Sequence, residues 1–140
     1  MKYLLDTNVV SELRKGARTN SGVRTWVDTV DTDSLFLSVL VVGELRQGLE
    51  RVRRRDPASA EALERWLQRL VDDYDDRIIR IDIGVAELWG RLNVPEPLAA
   101  VDGLLAATAL VHDLTLVTRN IHDVQRTGVR LLNPFQDDVR

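Results

Sequence analysis

Four carboxylates stand where they could act together: Asp6, Glu44, Asp102 and Asp123. Asp6 ends the apolar run Tyr3–Leu5 and is followed by Thr7 and Asn8. Glu44 lies about a turn and a half into a stretch of helical spacing that follows a second apolar run. Asp102 opens an apolar, alanine-rich segment, and Asp123 follows a further run in TLVTRNIHD. Gathering like charges costs free energy and raises carboxylate pKa values, and a cation offsets that cost. With no cysteine and only two histidines, His112 and His122, the donors would all be oxygen. Such a set suits Mg2+, with Mn2+ able to substitute, rather than Zn2+. A cation held this way binds a phosphodiester oxygen, activates water and stabilises the leaving oxygen of an in-line displacement.

Each residue also has a purely structural reading. Asp6 can be an Asx-turn or cap residue for the helix after it. Glu44, beside Val41, Leu45 and Leu49, can be a solvated flank paired with Arg51 or Arg55. Asp102 suits the first turn of a helix through the dipole, and Asp123 sits in a polar turn. Ser38 can be an N-cap, and Thr118 a strand-end hydroxyl. The chemistry therefore depends on whether the fold brings the acids together.

Strands are expected at Tyr3–Leu5, Leu35–Ser38, Ile78–Ile81, Leu114–Val117 and Val129–Leu132. Helices are expected between them. Val9–Arg14 is closed by Lys15 and Gly16 as a basic last turn and a C-cap glycine. Gly22–Val30 carries Val23, Trp26, Val27 and Val30 on one face. Val39–Val52 and the stretch from Pro57 to about Val71 read as a helical hairpin. Ile83–Leu92 precedes a rigid loop, Asn93–Pro97. Val101–His112 is apolar on nearly every side and reads as buried. This alternation predicts a three-layer α/β/α sandwich with a central, mainly parallel five-stranded sheet. Ligands of such sheets sit beyond the carboxyl ends of the strands, and all four acids fall at that edge.

The length of 140 residues is that of one domain, expected over residues 1–140. Apolar residues make up 44% and charged residues 29%, as in an ordinary soluble globular protein. No apolar run approaches the roughly 20 residues of a membrane span, and the first run is too short for a signal h-region. A cytoplasmic location is the default expectation. The net charge of −3 gives no global attraction to nucleic acid, although local patches and bound cations reverse a field. Neither G-x-G-x-x-G nor G-x-x-x-x-G-K-[ST] occurs.

The segments YLLDTNVVSEL, SVLVVGELRQGLER, VDGLLAATALVHDLTLVTRN and VRLLNPF, in this order over essentially the whole chain, resemble the PIN-domain nucleases. More narrowly, they resemble the VapC/FitB-type toxins of bacterial and archaeal toxin–antitoxin pairs. The resemblance implies a Mg2+-dependent endoribonuclease with one or two ions. It matches Asp6, Glu44 and Asp102 to the family's acidic triad. It points to Asp123 as a fourth acid, with Asn120 as the alternative polar contributor. Thr7, Asn8, Ser38 and Thr118 occupy the places of small polar residues that position water or phosphate. It further implies a homodimer and a cognate antitoxin that obstructs the acidic pocket, often with an arginine. The RNA substrate (tRNA, rRNA or mRNA) stays open. Exposed apolar residues on the first helices would form the dimer surface.

Two basic clusters flank the acids. Arg46, Arg51, Arg53, Arg54 and Arg55 follow Glu44, while Arg14, Lys15 and Arg18 follow Asp6. Either could hold an RNA backbone. Either could equally be a solvated face interleaved with Glu50, Asp56 and Glu61, or favoured cations at a helix C-terminus. Trp26, Trp66 and Trp89 sit at apolar helical positions and read as core or interface rather than base-stacking platforms. Two rivals remain at this point. A haloacid-dehalogenase-type phosphatase would need a second aspartate where Asn8 stands. A Mg2+-dependent binding module, or an inactive nuclease relative, would need no chemistry at all.

Overall fold

Short apolar runs form the centre of the sheet because helices cover both of its faces. The computed structural model describes residues 1–136. In chain order the elements are β1 (Tyr3–Leu5), α1 (Thr7–Leu13), α2 (Ser21–Thr29), β2 (Leu35–Ser38), α3 (Val39–Arg55), α4 (Pro57–Asp73), β3 (Ile78–Ile79), α5 (Ile83–Leu92), α6 (Ala100–Val111), β4 (Thr115–Val117), α7 (Ile121–Val124) and β5 (Leu131–Leu132). The five strands are ordered β3-β2-β1-β4-β5, and every pair is parallel. The α/β/α sandwich is as expected, with a sheet that is wholly rather than mainly parallel. The chain winds outward from β1 to β3 and returns to the other side of β1 for β4 and β5. Strand order therefore reverses between β1 and β4, where Tyr3, Leu4 and Leu5 pair with Thr115, Leu116 and Val117.

Leu4, Leu5, Leu37, Leu116 and Val117 are buried at the middle of the sheet. Strands covered on both faces carry continuous apolar runs rather than alternation. On one side lies α6, whose Leu105, Ala106, Ala107 and Ala109 are fully buried. Its small residues permit the close approach. An ideal Cβ on Gly103 would already be 3.2 Å from the Trp89 ring. No helix among the described residues is long and apolar enough to cross a membrane. The last four residues of the expected 1–140 unit lie outside the described residues.

The α3–α4 hairpin has a small core of its own in Leu49, Ala60 and Leu67, with Leu45, Leu63 and Trp66 packed around it. Asp56 joins the two helices. Its amide closes α3 on Val52, and its carboxylate accepts from the Ser59 amide at 3.2 Å to cap α4. Across the hairpin Arg46 grips Glu64 with two hydrogen bonds of 2.7 Å each. Arg53 reaches Glu50, Glu61 and Glu64. These two arginines are therefore engaged by carboxylates of the hairpin itself.

Several boundaries differ from expectation for identifiable reasons. Helix α1 begins at Thr7 rather than Val9 because Asp6 caps it. Helix α3 continues to Arg55 because nothing stops it before Asp56 and Pro57. Strand β4 begins at Thr115 because the Leu114 amide still closes α6 on Ala109 at 2.8 Å. The edge strands β3 and β5 shrink to two residues each. Beyond β3, Asp82 turns the chain into α5 by accepting from the Val85 amide at 3.0 Å. Before β5, Gly128 takes φ +79, a left-handed turn. The large exposed apolar side chains include Val39, Ile83, Val94 and Val111, and none lies on α1 or α2. The expected dimer surface on the first helices has no such patch among the described residues.

Two glycines provide opposite tests of this packing. A Cβ on Gly22 would lie 2.4 Å from the Pro134 carbonyl oxygen and 2.7 Å from the Gln136 amide, whereas one on Gly90 meets nothing within 4 Å. Gly22→Ala is expected to destabilise by about 1–3 kcal/mol, as overpacking does. Gly90→Ala is expected to stabilise by about 0.5–1 kcal/mol through helix propensity. Urea unfolding measures both; equal effects of the two would refute the close seating of the C-terminal segment on α2. A third test uses pH. Hydrogen bonding and charge from Arg46, then Arg53, hold the Glu64 carboxyl down from its ordinary 4.5 to about 2. A folded-state value below the unfolded one means that the contribution is complete above about 4.5 and is lost as pH falls toward about 2. Glu64→Gln is expected to flatten the stability–pH curve in that window. An unchanged acid limb would show that the bridge contributes nothing.

Candidate active site

The strand order reverses between β1 and β4, and Asp6 stands at that point. Its amide still pairs with the Val117 carbonyl at 2.9 Å. The chain then turns into α1, and the Asp6 carboxylate caps it by accepting from the Thr7 amide at 2.7 Å. The other carboxylate oxygen accepts from Thr118 Oγ1 at 2.7 Å and from Asn8 Nδ2 at 3.3 Å. Asp6 is only 6% exposed and Thr118 only 1%. Asp6 is thus a cap and, through its second oxygen, a carboxylate fixed across the β1–β4 junction. Asn8 donates its amide to that carboxylate, so it cannot supply the acid–base function the phosphatase reading requires.

Burial raises the Asp6 pKa. The Thr118 and Thr7 hydrogen bonds oppose this, the Glu44 charge adds to it, and the net shift is upward. Glu44 reaches the same place from the second turn of α3, where its Oε1 accepts from Thr7 Oγ1 at 2.5 Å. It is not paired with Arg51 or Arg55. Asp102, half-buried in the first turn of α6, is also raised. Burial is the main cause, followed by the charges of Asp6, Asp123 and Glu44. Asp123, on the short helix α7, is exposed and lines with Asp102 a cleft of about 640 Å3. At the carboxyl edge of the sheet Asp102 therefore feels the charges of the other three acids, and Asp6 that of Glu44.

Among the described residues, no three His, Cys, Asp or Glu side chains are drawn together as a ready-made metal cage. The acids share a field rather than a closed coordination shell. In kind and in charge the donors suit a hard cation: all are oxygens, and the charges of Asp6, Asp123 and Glu44 all act on Asp102.

The other residues singled out by sequence fall into distinct places. Thr7 and Asn8 are bonded into the acid set, and Thr118 joins it from β4. Ser38 is fully buried and caps α3 through the Leu40 amide at 3.1 Å. Asn120 is exposed; its amide donates to Thr118 Oγ1 at 3.0 Å. Arg14 lines an apolar groove of about 230 Å3 between α1 and the α3–α4 hairpin, with Glu44 and Thr7 at its wall. Lys15 pairs with Glu12 at 3.0 Å. Arg51 is exposed, while Arg46 is bound to Glu50 and Glu64.

Two residues of this region escape a reading of the sequence. Glu12 is 8% exposed and accepts from the Asn20 amide at 2.7 Å. Burial alone would raise its pKa, but the Asn20 amide and Lys15 outweigh it and lower it. Its position three residues after Val9, on the same helix face, is the one local sign of its burial. Arg119 donates its amide to Asn8 Oδ1 at 3.2 Å and lays its guanidinium 3.9 Å from the Phe135 ring centre. Nothing local marks it out.

The profile of the PIN domain matches residues 3–128. The chain is 32% identical to the toxin FitB of Neisseria gonorrhoeae over 139 residues, covering 96% of this chain and 99% of that protein. It is 29% identical to a VapC ribonuclease of Sinorhizobium fredii over 140 residues, covering 95% and 97% respectively. Its fold superposes on the crystal structure of FitAcB from Neisseria gonorrhoeae with a TM-score of 0.86 at 30% identity, over 94% of this chain and 97% of that one.

The β1–β4 junction makes a direct prediction. Thr118→Val keeps the volume but removes a donor from a buried carboxylate, at a cost of about 1–3 kcal/mol. Paired with Asp6→Asn in a double-mutant cycle read by urea unfolding, the two changes are expected to couple by about 0.5–3 kcal/mol. Strict additivity would mean that the Thr118 hydroxyl does not hold Asp6.

Proposed function

Because the chain belongs to the PIN-domain family, we propose that it is a Mg2+-dependent endoribonuclease, the toxin of a toxin–antitoxin pair restrained by a cognate antitoxin. The observation that carries this reading is Asp102 surrounded by the charges of Asp6, Asp123 and Glu44 at the sheet's switch point. The likeness to a relative named as a toxin and another named as a ribonuclease supports it.

Asp6, Glu44, Asp102 and Asp123 are the residues that would hold Mg2+, or Mn2+ in its place. A divalent cation in such a site neutralises phosphoryl charge and makes water a better nucleophile. The remaining residues prepare the site. Thr118 and Asn8 fix the orientation of the Asp6 carboxylate. Thr7 fixes Glu44 against it, so two acids from different layers of the sandwich arrive with a set geometry. Asp102 and Asp123 bring charge to the open cleft, where a phosphodiester strand has room to lie.

The antitoxin fits the groove between α1 and the α3–α4 hairpin. That groove is floored by Leu45, Leu49, Val52 and Trp66 and has Glu44 at its wall. An apolar segment seated there would place an arginine within reach of a carboxylate. We further take the chain to act in the cytoplasm as a single domain. It would pair as a homodimer through the face bearing Ile83 and Val94 rather than through α1 and α2.

The test is cleavage of structured RNA by the purified protein. Mg2+ is expected to support cleavage, EDTA to abolish it, and Asp6→Asn to reduce it to background. Cleavage by Asp6→Asn at the wild-type rate would refute the mechanism. Expression without an antitoxin is expected to arrest growth; an indifferent host would remove the toxin reading and leave the nuclease one.

A further inference from the structure

Behind the acid set, on the side of α1 facing away from the hairpin groove, lies a second cavity of about 410 Å3. It is almost wholly polar and is lined by Lys15, Arg18, Arg119, Thr19, Ser21 and Glu12. Three cations thus stand over one carboxylate, and that carboxylate is spoken for. Glu12 is buried beneath the cavity, where it accepts from the Asn20 amide and binds Lys15. Neither Arg18 nor Arg119 forms an ion pair among the described residues. Arg119 is instead held flat by the Phe135 ring.

The cavity is tied to the acids through a single side chain. Asn8 donates from Nδ2 to Asp6 and accepts at Oδ1 from the Arg119 amide. Arg119 also directly follows Thr118, the other side-chain donor to Asp6. At the far end Lys15 lies two residues past the end of α1, whose first residue follows Asp6. A short helix therefore spans the distance between the acids and the cations.

We infer that this cavity is a phosphate subsite, in which Arg18 and Arg119, with Lys15, hold a backbone phosphodiester of the RNA strand whose neighbouring linkage lies at Asp6. The inference rests on the ribonuclease reading for the identity of the strand. Its own basis is that three cations line one polar cavity, with Arg119 held by the Phe135 ring and by its amide bond to Asn8. A phosphodiester is recognised by guanidinium forks, which Arg18 and Arg119 bring to one cavity; the Thr19 and Ser21 hydroxyls beside them already donate, to the Glu12 carbonyl and to the Gln136 side chain. The interaction is independent of base, so the subsite sets register rather than sequence preference. It also divides the basic residues that follow α1: Lys15 and Arg18 belong to the RNA side, and Arg14 to the apolar groove.

Binding is tested apart from cleavage, with a short fluorescein-labelled single-stranded RNA and the Asp6→Asn protein, by anisotropy across a salt series. Adding R18Q and R119Q is expected to weaken binding about tenfold at low salt. The log–log salt slope should flatten by about 0.7 for each phosphate no longer neutralised by the protein. R119K should recover most of the slope, and R14Q with R51Q should leave it unchanged. In the cleaving protein R18Q should raise KM and leave kcat nearly unaltered. Unchanged affinity and slope in the double variant would overturn the subsite, as would a slope that follows Arg14 and Arg51 instead. If the protein binds RNA through Arg18 and Arg119 yet cleaves nothing, the nuclease reading falls and the subsite stands. If the double variant cleaves with wild-type KM, the subsite falls alone.

Discussion

The structure turns on a carboxylate that is kept out of water at the one place where the sheet changes direction. Asp6 is buried, and burial pushes its pKa up. A carboxylate in that position is tolerated only if donors meet it. They come from three directions: the first amide of α1, the Asn8 side chain, and the Thr118 hydroxyl at the end of β4. The same bonds do structural work, since they start α1 and tie β1 to β4 beyond the last paired residues. The candidate ligand and the cap are one group, so the fold cannot form fully without presenting the carboxylate at the crevice.

The electrostatics of the molecule divide into two regimes. On the α3–α4 hairpin opposite charges alternate, and Arg46 and Arg53 each meet several carboxylates. Such a network is stabilising in a modest, salt-sensitive way. At the carboxyl edge of the sheet acids gather around Asp102, and Arg126 lines the cleft beside them. Asp102 is surrounded by acids, and burial together with repulsion drives its pKa up. A fold that neutralises charge on one surface and concentrates it on another has placed its electrostatic strain where a ligand can relieve it. A net charge of −3 conceals this division.

Much of this was readable from the chain because the informative signals are local. An apolar run ending in Asp-Thr-Asn identifies a strand delivering a carboxylate, and Ile83–Leu92 has the expected bounds, with the Asn93 loop after it. The positions of the acids relative to predicted strand ends followed from the alternation of elements alone. What escaped depends on partners distant in sequence. The Arg46–Glu64 pair needs the packing angle of the hairpin, and an arginine-rich segment read alone looks as available to RNA as to a glutamate. Arg119 acquires meaning only from Asn8, more than a hundred residues earlier, and from Phe135. The edge strands β3 and β5 were overestimated because apolar composition continues past the point where a neighbouring strand remains to pair with. Thr118 was recognisable as a strand-end hydroxyl, but its bond to Asp6 required knowing that β4 lies beside β1.

The central claim is that the carboxylates at the switch point form one cation site. The most direct measurement is calorimetric titration of Mn2+ into the protein and into its Asp102→Asn variant, without any RNA. The account predicts saturable binding by the wild-type protein and an affinity weakened about tenfold or more by the variant, as loss of a charged ligand requires. Equal affinity in the two proteins, or no binding by the wild type, would contradict it.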